Sequence, residues 1–304
     1  MVHSPPSPHA PLAGRFEIER EVGRGGVGIV YRALDRQTDR FVALKLIAAT
    51  GIDAAEEARF LREGQILEDL QHPHIVKLVA CGAEDGVPYV AMEWLEGEDL
   101  AARQKRAPLG FRAALDVARQ VALALEAAHA ADIVHRDVKP SNVFLLAGDD
   151  ATPHAKLVDF GVALSDDARL TRTGVVVGTP AYMAPEQAKA EGTPDRRADI
   201  YSLGATLFEL LAGRPPHIGP TAIATLAKLV TTDAPRLSEL VSDAPPALDV
   251  LLTSMLRTDP ARRPESAHDV AEALARIAAD SGDISLRRES ANMPVADVTQ
   301  GTRL

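Results

Sequence analysis

The distribution of apolar residues changes about a third of the way along this 304-residue chain, and that change limits the possible fold more than any other feature. Up to about residue 95, short runs rich in β-branched residues alternate with glycine-containing turns, a pattern typical of a small antiparallel sheet. One helical segment interrupts them, and Asp53 followed by Glu56 predicts its start. From Gly97 onward the apolar spacing is helical. The sequence therefore predicts an α+β protein with a sheet lobe and a helical lobe, divided near residues 95–99.

The helices of the second part are predicted from apolar residues that recur every three or four positions. The first helix starts at Phe111 and ends by Asp132, and Gly213 ends the second. Ser266 and Asp269 predict a capping box at the start of the last helix. The ranges predicted after the first helix are 196–211, 221–230, 246–256 and 266–279.

Charge and composition exclude several classes of protein. The chain has 43 acidic and 33 basic residues, a formal charge of −10, which disfavours a general nucleic-acid-binding surface. Its single cysteine, Cys81, cannot form an internal disulfide, and no apolar run approaches the roughly 20 residues of a membrane-spanning helix. Residues 1–14 are proline-rich without the apolar core of a signal peptide, and residues 281–304 lack periodicity; both are expected to be disordered. We expect a cytoplasmic protein.

A glycine-rich segment at residues 23–30 (GRGGVGIV) lies between two predicted strands. Glycine lets the backbone approach phosphate oxygens, and the amide groups of such a turn can donate to them. A dinucleotide-binding glycine motif would open a helix, whereas here Tyr31 continues a strand. A plain hairpin turn remains the alternative.

Lys45 lies in the next predicted strand, in the segment VALK. A charged residue on an otherwise apolar strand needs a partner or a ligand, unless it is an edge-strand lysine that favours solubility. We expect Lys45 to hold nucleotide phosphates and to pair with Glu63 of the following helix, because Leu67, four residues on, places Glu63 beside the core-facing stripe. The other acidic residues of this helix are rival partners: Glu56, Glu57 and Glu68.

Three further motifs occur in order: HRDVKPSN at 135–142, DFG at 159–161 and APE at 184–186. With the glycine turn and Lys45, they resemble the eukaryotic-like protein kinases, in the form of the bacterial serine/threonine (Hanks-type) branch, from about residue 16 to 277. The resemblance implies a bilobal protein kinase fold over 15–280, with lobes 15–95 and 96–280. It also implies transfer of the γ-phosphate of ATP to Ser or Thr hydroxyls of proteins.

The resemblance implies roles for the residues of these motifs. Asp137 would accept the proton of the substrate hydroxyl, and Lys139 would neutralise charge on the transferred phosphoryl group. Asn142 and Asp159 would hold Mg²⁺, for which Mn²⁺ can substitute. Lys139 and Thr179 are typical of the serine/threonine class. The residues implied at the nucleotide are Val22, Gly23, Gly25, Gly28, Val30, Ala43, Lys45, Met92, Glu93, Leu95, Phe144 and Asp159, with Met92 as gatekeeper.

Further residues match structural positions of the family. Asp199 would brace the catalytic loop, although Tyr201 replaces the more familiar tryptophan, and Arg263 would pair with Glu186. A stack assembled in active kinases matches Leu67, Leu78, His135 and Phe160.

The polar segment 166–174 contains Thr171 and Thr173. Arg136 directly precedes Asp137, and in kinases of that pattern it pairs with a phosphorylated activation loop. We expect autophosphorylation at one or both threonines, in a transient homodimer. A flexible surface loop is the alternative, and the tail threonines 299 and 302 are weaker candidates.

Two other functions remain open. A pseudokinase scaffold is disfavoured, because it has no chemical need for Lys45, Asp137, Asn142 and Asp159 together. A phosphotransferase acting on a small molecule would generally lack the segment 178–186 that shapes a peptide site.

Overall fold

The computed structural model describes residues 12–25, 28–47, 54–148, 152–160, 180–190, 192–281 and 284. The first lobe contains an antiparallel sheet of five strands in the order β1-β2-β3-β5-β4. Helix α1 (Ala54–Asp69) connects β3 to β4 and packs on β4. The predicted start of α1 at Asp53, with the side chain of Glu56, lies outside the described part. The strands are β1 (Phe16–Gly25), β2 (Gly28–Asp35), β3 (Arg40–Ile47), β4 (Leu78–Glu84) and β5 (Val87–Glu93).

The two faces of this sheet bury different clusters, because side chains alternate between faces along a strand. One face carries a small separate core of Phe16, Tyr31, Ala33, Val42, Leu44, Tyr89 and Ala91. On the other face, Val90 and Met92 join the main core together with Phe60 and Leu67 of α1. Lys45 lies opposite Val90 in the β3–β5 register and so belongs to this second face, which is turned towards the rest of the molecule.

The second lobe is mainly helical. Its small sheet, in the order β6-β7-β8, consists of β6 (Gly97–Asp99), β7 (Val143–Leu146) and β8 (Ala155–Leu157). The helices are α2 (Leu100–Arg106), α3 (Phe111–Ala130), α4 (Pro185–Ala188), α5 (Arg196–Ala212), α6 (Ala222–Thr231), α7 (Pro246–Met255) and α8 (Ala267–Asp280). The predicted α+β architecture with two lobes is confirmed.

Helix α3 is the centre of the second lobe. It packs against α5 and α8, and its fully buried Leu125 illustrates the apolar face that the sequence predicted. Burial of one such leucine contributes about 1.5–3 kcal/mol. Gly204 lets α5 pass close to α7, since a Cβ there would lie 2.9 Å from that of Met255. Gly213, with φ of 79°, ends α5 as predicted.

The lobes meet along the segment that follows α1. Ile75 forms a parallel bridge with Leu157 of β8, and the amide of Val76 donates to the carbonyl of Leu157 at 3.0 Å. The amide of Leu157 in turn donates to the carbonyl of His74 at 2.8 Å. The loop after α1 is therefore fixed to the strand that leads into Asp159.

The predicted helix ranges agree with the observed ones to within about a turn, and the capping box of Ser266 and Asp269 is confirmed. The short elements β6 and α2 were not predicted, because three residues in one and a largely polar sequence in the other carry little periodicity. Among the described residues, no helix has the length and apolar character needed to cross a membrane.

Candidate active site

The glycine-rich segment forms a hairpin between β1 and β2. Gly25 pairs with Gly28, and β2 continues as a strand, so the predicted distinction from a dinucleotide-binding turn is confirmed. Gly28 has φ of 153°, and a Cβ there would lie 2.0 Å from the carbonyl oxygen of Leu46. Val22, Gly23 and Gly25 are on β1. Residues 26 and 27 lie outside the described part of the chain.

Lys45 and Asp159 join the two lobes. The Nζ of Lys45 lies 2.8 Å from Oδ1 of Asp159, with 17% and 35% of the side chains exposed. Burial raises the pKa of Asp159, but the charge and hydrogen bond of Lys45 outweigh it and hold that pKa below its usual range. Asp159 has φ of 58°, a conformation uncommon for a residue other than glycine. A charged carboxylate is thus held in the cleft beside an ammonium group.

Glu63, the predicted partner of Lys45, is half-buried on α1 one turn before the buried Leu67. The pairing of Lys45 with Glu63 stays a prediction. Of its rivals, Glu68 accepts a hydrogen bond from the amide of Cys81 at 3.1 Å, which gives its carboxylate a different role. The side chains of Glu56 and Glu57 lie outside the described part.

The catalytic-loop residues converge on Asp137. Its Oδ2 lies 2.9 Å from Nζ of Lys139 and accepts from Nδ2 of Asn142 at 3.1 Å. Nδ2 of Asn142 also donates to the main-chain carbonyl of Asp137 at 2.8 Å. The carboxylate is therefore oriented by two donors that come from its own loop.

Asp199, which is fully buried on α5, holds the catalytic loop by accepting hydrogen bonds from its backbone. Its carboxylate accepts from the amide of His135 at 2.8 Å, from the amide of Arg136 at 2.7 Å and from Nε2 of His129 at 2.8 Å. Arg136 has φ of 65°, so these bonds hold the residue before Asp137 in a sparsely populated conformation. Gln187 of α4 adds a contact by donating to the carbonyl of Arg136 at 3.0 Å.

His135 connects the loop to the segment that carries Asp159. The amide of Asp137 donates to its Nδ1 at 3.2 Å, so the proton of the ring is on Nε2, which lies 2.9 Å from the carbonyl of Val158. The ring of Phe160 packs 4.7 Å from that of His135. Leu67 and Leu78 are buried in the same core as Phe160, which agrees with the predicted stack.

The residues predicted at the adenine lie on one face of the first sheet and on β7. Ala43 is opposite Met92 in the register, and Val30 is opposite Lys45, so these four share a face. Phe144, on β7, is buried. Glu93 ends β5, and Leu95 follows it in the hinge, the segment 93–96 that joins the lobes.

The segment 182–186 of the helical lobe is held by two polar contacts. Arg263 forms two hydrogen bonds of 2.7 Å with the carboxylate of Glu186, as predicted. The hydroxyl of Tyr182 donates to Glu209 of α5, and burial raises the pKa values of both groups. Tyr201 stacks against Arg263, whose Cζ lies 5.0 Å from the ring centroid.

Asn142 and Asp159 fit a divalent metal by the chemistry of their donors. The carbonyl of Asn142 accepts from the amide of Val158 at 2.9 Å, so Asn142 lies beside the residue that directly precedes Asp159. Nδ2 of Asn142 contacts Asp137, which leaves its amide oxygen as the atom suited to a metal. Two protein oxygens together with substrate phosphates and water are a ligand set typical of Mg²⁺.

Several predicted residues lie outside the described part of the chain. They are Gly161, Thr171, Thr173, Gly178 and Thr179. Conversely, sequence reasoning missed His129 and Gln187, which support Asp199 and Arg136. No motif contains either residue, and each reaches its partner only in the folded lobe.

A sheet lobe joined to a helical lobe, with lysine–carboxylate contacts where the lobes meet, is the arrangement of protein-kinase-like phosphotransferases. A family model described as protein kinase domain matches residues 16–274, and the chain belongs to that family. The predicted resemblance to the bacterial serine/threonine branch is confirmed by the relatives.

The chain is 39% identical over 301 residues to serine/threonine-protein kinase PknE of Mycobacterium tuberculosis, covering 95% of this chain and 52% of that protein. It is 35% identical over 283 residues to serine/threonine-protein kinase PrkC of Bacillus subtilis, covering 91% and 42%. Among solved structures, the PknI kinase domain of Mycobacterium tuberculosis matches with 31% identity and a TM-score of 0.69, covering 86% of this chain and 95% of that one. The chain spans about half the length, or less, of these curated relatives.

Proposed function

We propose that this chain is a serine/threonine protein kinase that transfers the γ-phosphate of ATP to Ser or Thr hydroxyls of proteins. The observation that carries the proposal is a set of two neighbouring lysine–carboxylate pairs, since the charge of Lys139 in one pair also acts on Asp159 in the other. Asp159 is held by Lys45 of the sheet lobe at 2.8 Å, and Asp137 is held by Lys139 at 2.9 Å. ATP and a divalent metal are the family's cofactors; we propose Mg²⁺, with Mn²⁺ as a substitute.

In the proposed reaction the acceptor hydroxyl oxygen forms a bond to the γ-phosphorus, and the bond from that phosphorus to the β–γ bridging oxygen breaks, so ADP leaves. Asp137 orients the hydroxyl and accepts its proton. Lys139 neutralises charge on the transferred phosphoryl group, and Lys45 holds the α- and β-phosphates. A bound Mg²⁺, held by Asn142 and Asp159, would neutralise phosphate charge.

The base of the nucleotide would lie between Val30 and Ala43 on one side and Phe144 on the other. The backbone of Glu93 and Leu95 would contact it, and the hairpin with Val22, Gly23, Gly25 and Gly28 would cover the phosphates. We place the reaction in the cytoplasm, where ATP is supplied. The proposed domain is 15–280, with lobes 15–95 and 96–280.

Radiolabelled ATP with a generic protein substrate tests the reaction. The wild type should label Ser or Thr in the presence of Mg²⁺, and Asp159→Asn should abolish labelling while leaving thermal unfolding close to that of the wild type. Unchanged labelling in Asp159→Asn would contradict the mechanism. A wild type that binds ATP without labelling any protein would favour a pseudokinase scaffold. Labelling only of small alcohols or amines would favour a phosphotransferase that acts on small molecules.

We also propose that Thr171 or Thr173 is phosphorylated by a second copy of the chain and then pairs with Arg136. Phosphopeptide mapping after incubation with Mg²⁺ and ATP should find phosphate on residues 166–174, and the double alanine variant should lose most activity. If no phosphate forms there and the double variant stays fully active, the switch is wrong, although the kinase assignment stands. A rate that rises with the square of enzyme concentration would support phosphorylation between copies.

A further inference from the structure

We propose that Lys156 is a positioning residue for nucleotide binding, which fixes the hinge backbone that receives the adenine. Lys156 lies on β8, three residues before Asp159, and its side chain reaches the hinge rather than the reacting atoms. The inference rests on the proposed function, because it assigns a purpose to a contact beside the proposed base site.

The carboxylate of Glu93 is the centre of this contact. Its Oε1 lies 2.7 Å from Nζ of Lys156 and accepts from the amide of Lys77 at 2.9 Å. The amide of Glu93 donates to the carbonyl of Lys77, also at 2.9 Å. Glu93 is thus held at both its main chain and its side chain, which restricts the backbone that would face the base.

Lys156 has a second acceptor that extends the contact beyond the hinge. Its Nζ donates to the carbonyl of Ile75 at 3.2 Å, in the loop between α1 and β4. One ammonium group therefore ties together the hinge, the loop after the Glu63 helix and the strand that leads to Asp159. A change in the hinge would be transmitted through this group to the loop after α1 and to the segment that carries Asp159, the proposed metal ligand.

Lys156 and Glu93 are partly buried, unlike a pair of charges on the protein surface. Side-chain exposure is 14% for Lys156 and 32% for Glu93. Like the pair of Lys45 and Asp159, this partly exposed pair contributes little to overall stability. Water nevertheless screens it less than a fully exposed pair, so removal of one charge loosens the other side chain. Without Lys156, the carboxylate of Glu93 would keep the amide of Lys77 but lose its charged partner, so the hinge backbone would be less restricted.

The neighbouring hinge residue is held differently. Trp94 donates from Nε1 to Glu96 at 2.7 Å, and Cζ of Arg32 lies 5.4 Å from its ring. These contacts involve the sheet lobe and the hinge itself. Within the part of the chain that the structure describes, Lys156 connects the helical lobe to the carboxylate of Glu93.

The decisive experiment separates binding of the base from binding of the phosphates. Lys156→Met keeps the unbranched shape and most of the length of the side chain and removes its charge. Lys156→Arg keeps the charge, and Lys45→Met removes the proposed phosphate ligand. The affinities of each variant for ATP and for adenosine would be measured by calorimetry, alongside KM for ATP and kcat. Lys105→Met, which replaces an exposed lysine of α2, is the control.

Lys156→Met should weaken ATP and adenosine by the same factor, about tenfold, which is the scale of one charged hydrogen bond. KM for ATP should rise with it while kcat changes little, and Lys156→Arg should restore most of the affinity. Lys45→Met should weaken ATP and leave adenosine unchanged.

Unchanged adenosine affinity in Lys156→Met would overturn the proposal, as would a fall in kcat without a change in KM. Glu93→Gln should reproduce the weakening, and additive effects in the double variant would show that the two side chains do not act as a pair. If the wild type phosphorylates no protein, the proposed function fails separately, because adenosine affinity is measured without any reaction.

Discussion

Two ion pairs, one in the cleft and one within the helical lobe, have similar distances and very different surroundings. Lys45 and Asp159 lie 2.8 Å apart, with 17% and 35% of their side chains exposed. Arg263 and Glu186 lie 2.7 Å apart, with 0% and 12% exposed. In both, a basic group contacts a carboxylate from a distant part of the sequence, so distance alone does not distinguish their roles.

The difference lies in what else each basic group does. Arg263 also donates to the carbonyls of Arg257, Arg197 and Thr258, at 2.8, 2.9 and 3.2 Å. Its guanidinium is fully engaged within the protein, as expected of a structural group. Lys45 and Asp159 retain access to water, and in the proposed reaction each would exchange the other for phosphate or metal. Solvent access therefore distinguishes the pair with a proposed catalytic role, Lys45 and Asp159, from the structural pair, Arg263 and Glu186.

The largest expected effect is the loss of stability when the structural pair of Arg263 and Glu186 is broken. Arg263→Met should lower the free energy of unfolding by about 3–5 kcal/mol, because it leaves the carboxylate of Glu186 and three carbonyls without their donor. Chemical denaturation measures this loss. The double variant with Glu186→Met should regain part of the stability. A loss below about 1 kcal/mol in Arg263→Met would contradict the structural role.

Lys45→Met should reduce catalytic activity strongly and stability only slightly. We expect phosphoryl transfer to fall about 10²-fold, since a preorganised charge at the phosphates is lost. The free energy of unfolding should change by less than about 1 kcal/mol, because a partly exposed pair contributes little to stability. Steady-state kinetics and denaturation on the same preparation test both points. A large loss of stability would remove the distinction between the two pairs.

Much of this arrangement follows from the sequence. Apolar periodicity predicted the long helices, and the glycine segment with a strand on each side predicted the β1–β2 hairpin. The family motifs placed Asp199 under the catalytic loop and paired Arg263 with Glu186, and the structure contains these contacts. Local patterns therefore suffice for the elements, and the family motifs also identify partners that lie in distant segments.

The contacts that the sequence did not reveal join charged side chains from different elements. Lys156 and Glu93 are 63 residues apart, and in the sequence each resembles an ordinary charged residue of a strand. Arg15 and Asp35 likewise meet only after β1 and β2 have paired. A charge on a strand gives no periodic signal for its partner, so these pairs depend on the register of the folded sheet.

The pair of Arg15 and Asp35 extends the comparison to the sheet lobe, where the carboxylate is fully buried and the guanidinium is partly exposed. Hydrogen bonds from Arg15 lower the pKa of Asp35 to about 2, against the opposing effect of burial, and the amide of Gln37 and the hydroxyl of Thr38 assist. The folded carboxylate is favoured, so its stabilisation is present above the ordinary pKa of 3.8 and is lost as the pH falls through about 2. This shift corresponds to about 2 kcal/mol.

Urea unfolding of the wild type and of Asp35→Asn between pH 6 and pH 3 measures this contribution. The pH-dependent part of the stability difference should fall to about half by pH 3. A difference independent of pH would mean that Arg15 does not favour the ionised carboxylate. The contact of Arg15 with Asp35 would then not act as an ion pair, in contrast to that of Arg263 with Glu186.

The smallest expected effect is at an exposed contact in the same lobe as Arg263, and it sets the scale for the others. Ser266 accepts at its hydroxyl from the amide of Asp269 at 3.1 Å, and the carboxylate of Asp269 accepts from the amide of Ser266 at 3.1 Å. Ser266→Ala removes the first of these caps and should cost about 1 kcal/mol, or about 2–4 °C in Tm. Ser266→Asp should keep the cap, and both variants should phosphorylate substrate as fast as the wild type. A loss as large as that of Arg263→Met would mean that burial does not set the energetic difference between the contacts of this lobe.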